Sequence, residues 1–212
     1  MGKCIIFCAG GFDGLLEKPT KNDKIIAADG GYLHTKALGL APDVVLGDFD
    51  SLGYTPEDAL VFPVEKDDTD AMLAVRKGLE LGFQTFFLYG SLEGSRLDHT
   101  VANFQTLQYL ADRGAQGFLI GNRQIVTGVK NRSLVFSPGA EGVISVFCMG
   151  QDGEGVTLAG LQYPLEKGRL TAGFPLGVSN HFTGEKATVS VEKGSLLVIF
   201  DRKNFRFCED ML

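Results

Sequence analysis

As far as Ile120 the chain follows one rhythm: short apolar runs alternate with helical stretches, and a polar cluster directly follows four of the runs. The runs at 4–7, 24–28, 43–46, 60–64, 85–89 and 117–120 read as strands. Between them, Met72, Val75 and Leu79 share one face of a helix expected over 70–81, which Gly82 can end. A second helix is expected over 98–113, with Val101, Phe104 and Leu107 inward and Gly114 after it. Alternation of this kind implies a largely parallel sheet covered on both faces, because a parallel connection needs a crossover long enough to hold a helix.

The rhythm breaks after Gly121. No helical period of any length follows up to Arg202; short runs at 133–136, 142–148, 156–161, 169–172, 187–191 and 195–200 take its place. Turn signals separate them, among them Ser137-Pro138-Gly139 and Glu192-Lys193-Gly194, and Val189, Val191, Leu197 and Ile199 give alternating faces. That spacing suggests an antiparallel sandwich or barrel. The fold class is therefore α/β, a mostly parallel sheet with flanking helices over residues 1–122, followed by a C-terminal antiparallel β-sandwich over 131–212. The join is expected near 121–131.

Composition limits the partners. The formal net charge is -6, the pI about 5.1, and there is no Lys/Arg block, so nothing would draw a nucleic-acid backbone or an anionic membrane to the surface. No apolar run approaches the roughly 20 residues of a membrane span. The apolar start at 4–9 also lacks the long core and cleavage site of a secretory signal. Cys4, Cys8, Cys148 and Cys208 form no CxxC pair and read as buried reduced thiols. A soluble, cytoplasmic protein is expected.

The acids are informative by position. Asp29-Gly30-Gly31, Gly47-Asp48-Phe49-Asp50-Ser51, Lys66-Asp67-Asp68-Thr69-Asp70 and Gly94-Ser95-Arg96-Leu97-Asp98-His99 each follow a strand. In an open parallel sheet the carboxyl ends of the strands share one edge, so these clusters converge on the crevice where ligands bind. Gathered carboxylates repel one another unless a cation neutralises them, and Mg²⁺ takes such hard oxygen ligands. Asp48 and Asp50, two residues apart in an extended segment, would point to the same side about 7 Å apart at Cα. Asp70 opens a helix, with Asp68 or Thr69 as its cap. Arg96 can hold phosphate oxygens in its fork, and Gly30, Gly31, Gly90 and Gly94 let backbone approach a nucleotide. The residues alone reach a metal-assisted phosphate site. They leave simpler roles open as well: Asp29 as a cap for a helix beginning at Gly31, Arg96 as a partner for Asp98, and His34 as a surface helix residue.

These clusters, in this order, resemble the motifs of the thiamine pyrophosphokinase family, and Gly177-Val178-Ser179-Asn180 is similar to that family's Ser-Asn segment. The resemblance implies a Rossmann-like α/β catalytic domain that binds ATP, then a β-sandwich that binds thiamine and pairs two copies as a homodimer. Thiamine would lie between the α/β domain of one subunit and the sandwich of the other. It implies Asp48, Asp50 and Asp70 as Mg²⁺ ligands, and Arg96 and Asp98 acting on the ATP phosphates and substrate or metal. Asp29, Gly30, Lys66, Asp67 and Thr69 would line the nucleotide site, with Ser179 and Asn180 in the thiamine pocket. Asp98 or Asp67 would accept the alcohol proton. Family members often set a Trp against thiamine; this chain has none, which directs attention to His181 and Phe182. Two other classes fit the acids: a magnesium-dependent phosphohydrolase or glycosyltransferase built on Asp48-Phe49-Asp50, and a non-catalytic nucleotide or thiamine sensor. An aspartyl-nucleophile phosphohydrolase usually carries its acids after the first strand, and a sensor needs no set of magnesium ligands.

Overall fold

A computed structural model describes residues 2–50, 52–65 and 67–209. The chain divides into two compact units, Met1–Thr106 with Gly117–Asn122, and Leu107–Gln116 with Arg123–Leu212.

The first unit contains β1 (Cys4–Phe7), β2 (Lys24–Ala28), α1 (Gly31–Ala37), β3 (Val44–Gly47), β4 (Leu60–Val61), α2 (Asp70–Glu80), β5 (Thr85–Tyr89), the part of α3 (Leu97–Ala111) up to Thr106, and β6 (Gln116–Ile120) from Gly117. The strands lie in the order β6-β5-β1-β2-β3-β4. β1 pairs in parallel with β2 and β5, β2 with β3, and β3 with β4. Every residue of β1, β5 and β6 is buried, which is why these strands read as unbroken apolar runs rather than as alternating ones. Phe7, Phe86, Phe87, Phe118, Ile5, Ile6 and Leu88 form the bulk of this core. The expected strand at 60–64 shortens to two exposed residues.

Both helices differ from expectation in which face they bury. On α2 the buried residues are Ala74, Val75 and Gly78, while Met72 and Leu79 are half-buried. Gly78 allows this close packing: a Cβ there would come within 2.5 Å of the Phe86 ring and 2.7 Å of Cys4 Sγ. On α3, Val101 is 49% exposed, and the buried residues include Asn103 and Thr106. These two polar residues tolerate burial because Asn103 Nδ2 donates to Ser91 O (2.8 Å) and Thr106 Oγ1 to Ala102 O (3.1 Å). Leu107 is buried as expected, and an apolar count along the helix errs only at its polar inward neighbours and at Val101.

The second unit holds β7 (Gln124–Lys130), β8 (Ser133–Phe136), β9 (Glu141–Cys148), β10 (Gly153–Ala159), β11 (Leu165–Leu170), β12 (Gly177–Thr183), β13 (Ala187–Ser190) and β14 (Ser195–Asp201), then a short 3-10 helix, Arg202–Phe207. Two antiparallel arrays, β12-β9-β14-β7 and β11-β10-β13-β8, bury Leu134, Ile144, Val146, Leu158, Val189, Leu196, Val198 and Phe200. Phe136 of β8 meets Phe182 of β12 and Phe200 of β14 edge-on at 4.9 and 5.0 Å, as the inner faces of a sandwich do. Residues 124–130, read from the sequence as the joining stretch, are strand β7, paired with β14 along its length. Its buried Thr127 hid it. Gln116 Nε2 donates to Thr127 Oγ1 and to Gly128 O, so the polar position costs little.

Candidate active site

β2 and β3 run side by side in register, with Ala28 opposite Leu46, so the residues that follow them emerge as neighbours at the carboxyl edge. Asp29 N–H donates to Leu46 O at 2.8 Å, and Asp29 turns left-handed at φ 46°. Gly47 makes room for it: a Cβ there would lie 3.0 Å from Asp29 Cα. Past Gly47 the chain does not stay extended, as the sequence suggested. Phe49 takes φ 59° and buries its ring, 3% exposed, against Ala27 and Val45. Anchored there, it leaves Asp48 and Asp50 on either side of the bend, with Asp50 N–H donating to Asp48 Oδ1 at 3.3 Å.

The outcome is a cluster of three carboxylates, Asp29, Asp48 and Asp50, each offering an oxygen within 4.8 Å of the others. Oxygens bound at 2.0–2.1 Å to a single octahedral Mg²⁺ stand about 3–4 Å apart, so the donor set fits such an ion in number, hardness and span. Asp48 and Asp50 were expected in this role. Asp29, expected on the nucleotide or as a helix cap, joins them; α1 is instead capped by Gly30, without a side-chain bond. Asp70 lies outside this group of three.

Asp70 occupies the first turn of α2, where the free N–H groups of a helix start favour carboxylate and phosphate alike. Thr69 is the cap, its Oγ1 accepting from Met72 N–H at 3.2 Å. Asp68 pairs instead with Arg76 at 3.0 Å, and Asp67 is exposed. Lys66, expected on the nucleotide, and Ser51 of the second motif lie outside the described residues. Burial, with the charge of Asp70 second, pushes the Cys8 thiol up to about 12, so Cys8 is inert at this edge.

The strand order reverses between β1 and β5, the position at which doubly wound sheets open a ligand crevice. Two glycines let the loops there meet backbone to backbone. Gly10 N–H donates to Gly90 O (3.0 Å), Gly90 has φ 67°, and a Cβ on either would fall 2.5 Å from a carbonyl oxygen of the other. Glu93 straps the loop: its carbonyl accepts from Gly11 N–H (2.8 Å) and its carboxylate from Asn122 N–H (2.6 Å). His34, expected to be a surface residue, joins Gly10 O through Nε2 at 2.8 Å and stands edge-on to Phe12. Nothing in the sequence pattern marks Glu93 or His34, because both act on backbone of distant segments. Beyond the strap, exposed Arg96 forks onto Asp98 with contacts of 2.5 and 3.2 Å. The guanidinium hydrogen bond holds the Asp98 carboxyl below the usual carboxylate range.

In the second unit, Ser179 and Asn180 sit on β12 at a bulge between Gly177 and Asn180. The extra residue there turns Ser179 outward, left-handed at φ 58° with its N–H on Ser145 Oγ (3.0 Å), and turns Asn180 inward, 3% exposed. Phe182 packs in the core, 7% exposed, and His181 is half-buried, so neither offers a free aromatic face of the kind expected from the missing Trp.

Sheet order, the acidic edge and the glycine-lined crevice define an α/β phosphotransferase with an appended β-sandwich. Two family models match in the same order: the thiamin pyrophosphokinase catalytic domain over residues 17–119 and the thiamin pyrophosphokinase vitamin B1 binding domain over 134–196. The thiamine pyrophosphokinase of Bacillus subtilis (strain 168) is 28% identical, over 93% of this chain and 98% of that protein. The crystal structure of a Bacillus subtilis thiamine pyrophosphokinase superposes with a TM-score of 0.81 at 26% identity, over 94% of this chain and 98% of that one. That of a thiamin pyrophosphokinase family protein from Enterococcus faecalis gives 0.78 at 25%, over 95% and 98%. The chain belongs to the thiamin pyrophosphokinase family.

Proposed function

We propose that the chain transfers pyrophosphate from ATP to the hydroxyl of thiamine, giving thiamine diphosphate and AMP. The family supports the reaction, and the observation on this chain that carries it is the three-carboxylate cluster at the edge of a nucleotide-type sheet. Asp29, Asp48 and Asp50 would hold Mg²⁺, and Asp70, at the start of α2, would be a further ligand. When bound, Mg²⁺ supplies positive charge against the phosphate oxygens. Gly30 and Gly90 let the main chain approach the phosphates, and the α2 start set by Thr69 offers free N–H groups to them. Arg96 binds phosphate oxygens, with Asp98 holding its fork in orientation. Asp98 is paired and its carboxyl is held low, which makes it a poor proton acceptor. That leaves exposed Asp67 as the candidate for the alcohol proton. The rest of the catalysis is positioning and charge stabilisation, as phosphoryl transfer requires.

Residues 1–122 would take ATP, and residues 131–212 thiamine and the contact between two copies. The exposed apolar side chains Phe174, Leu176 and Val178 of the second unit support a homodimer. The described cysteines are free thiols, which suits a reducing cytoplasm. Among the described residues no helix is long and apolar enough to cross a membrane.

AMP and thiamine diphosphate, measured together from ATP, thiamine and Mg²⁺, test the reaction. Asp50→Asn should lower the rate by at least about a hundredfold while the chain stays folded, since even residues that merely orient metal ligands are worth ten- to a hundredfold. AMP without thiamine diphosphate, or inorganic phosphate instead of AMP, would refute the reaction.

A further inference from the structure

We propose that Glu93 is a positioning residue for the transfer: by tying its loop to the ends of β1 and β6, it holds Arg96 where the phosphates bind. The inference rests on the reading of Arg96 as a phosphate ligand given above. β5 lies between β6 and β1 in the sheet, and the loop that leaves it, from Gly90 to Arg96, reaches the ends of both neighbours. Glu93 grips one with its main chain and the other with its side chain. Its carbonyl accepts from Gly11 N–H, past β1, at 2.8 Å, and its Oε1 accepts from Asn122 N–H, past β6, at 2.6 Å. The first contact is an isolated antiparallel bridge between Gly11 and Glu93.

The seat of the carboxylate is shaped to it. A Cβ on Gly121 would fall 2.5 Å from Glu93 Oε1 and 3.0 Å from Oε2, so any larger residue takes the place of the carboxylate. A main-chain N–H bound to a charged oxygen makes one of the stronger hydrogen bonds. Glu93 stands three residues ahead of Arg96, and an acid facing the phosphates there would repel them. Turned onto the end of β6, it serves as an anchor instead. The first part of the loop is held without it: Asn103 Nδ2 donates to Ser91 O at 2.8 Å, and Ser91 Oγ to Leu88 O at 2.8 Å. Past Glu93, Gly94 and Ser95 are exposed, and a Cβ on Gly94 would meet nothing nearer than Arg96 N at 3.9 Å. Arg96 itself meets α3, where its carbonyl accepts from Thr100 N–H at 3.4 Å and its fork closes on Asp98. Among the described residues Glu93 is therefore the last fixed point before the arginine. A displacement on the order of 1 Å at a group that stabilises charge costs up to about a hundredfold in rate.

The test measures KM for ATP, KM for thiamine, kcat and Tm in Glu93→Ala, Glu93→Gln, Gly121→Ala and Arg96→Ala and in their double variants, with binding of ATP and Mg²⁺ followed by calorimetry. Glu93→Ala should lower kcat/KM for ATP about tenfold, weaken ATP binding and leave the thiamine KM within about twofold. Glu93→Gln keeps an acceptor oxygen for Asn122 N–H and should recover most of the loss. Gly121→Ala pushes the carboxylate off its seat and should reproduce the loss in the parent, yet be nearly silent once Glu93→Ala has removed the clash. Glu93→Ala should likewise add little to Arg96→Ala, because both remove one function. ATP kinetics unchanged in Glu93→Ala, with or without a lower Tm, would overturn the assignment. So would losses from Glu93→Ala and Arg96→Ala that multiply. If the parent chain makes no thiamine diphosphate, the proposed reaction falls, and calorimetry still decides the role of Glu93. ATP binding weakened by Glu93→Ala in the parent but not in Arg96→Ala supports it, and equal ATP binding in Glu93→Ala and the parent overturns it.

Discussion

At the scale of single residues, the acid cluster depends on Gly47, whose missing side chain lets the backbone of Asp29 close over the end of β3. Gly47→Ala should therefore act on metal binding at a distance of one strand. A Cβ 3.0 Å from Asp29 Cα pushes Asp29 away from Asp48 and Asp50, and the Mg²⁺ needed for half-maximal rate should rise about tenfold, at a stability cost of about 1–3 kcal/mol. Magnesium titration beside thermal melting checks both, and an unchanged Mg²⁺ requirement would show that Asp29 is not a ligand. Asp48 and Asp50 are legible in the sequence by spacing. The sequence brings Asp29 to the same edge but not into the ligand group, because that partnership depends on the exact parallel register, Ala28 beside Leu46. Asp98 gives a pH prediction. Its carboxyl is held below the ordinary range by Arg96, so the charged pair is complete above the ordinary carboxylate pKa and is lost only as pH falls through the lowered value. The kcat/KM profile for ATP in Asp98→Asn should run parallel to the parent between about pH 5 and 8, lower throughout; a limb in that window present only in the parent would contradict this.

Elements were legible where local chemistry decides them. Thr69 before Asp70, and Gly82 at φ 87° after Leu81, mark both ends of α2 in the sequence as in the structure. Thr69→Ala should cost about 1 kcal/mol and lower Tm by about 2–4 °C, and it should also raise the ATP KM, because the same cap fixes the N–H groups at the α2 start. Loss of Tm with an unchanged ATP KM would confine Thr69 to a structural part. Elements that depend on non-local polar contacts were not legible. β7 carries a buried Thr127 that accepts from the distant Gln116, and β12 carries a bulge that pairing with β9 reveals. On α3 the sequence marks the buried Leu107 but not Asn103, which is buried on account of the Ser91 carbonyl.

For the whole molecule, the change of rhythm near Gly121 announced two kinds of architecture, and the burial of complete strands in the first explains why its runs were the easiest to place. The cysteines carry a prediction of the same reach. Burial pushes both Cys4 and Cys8 up to about 12, Cys208 is buried, and Cys148 is partly open. At pH 8 thiolate is therefore scarce at Cys4 and Cys8, burial shields Cys208 from a reagent, and a disulfide reagent should titrate no more than one thiol in the native protein against all 4 in denaturant. Fast reaction of several native thiols would mean that the core of the first unit opens readily. A last consequence follows from β4, the terminal strand of the first unit's sheet, which pairs through Leu60 and Val61 alone. A second chain arriving at that margin finds a template two residues long, too short to seed edge-to-edge growth. The segment Thr85–Tyr89, with its run of Phe, Leu and Tyr, is the kind that stacks into fibrils, yet in the folded sheet it is enclosed. Aggregation is thus a hazard of the nascent and refolding chain, and it recedes once β5 is covered.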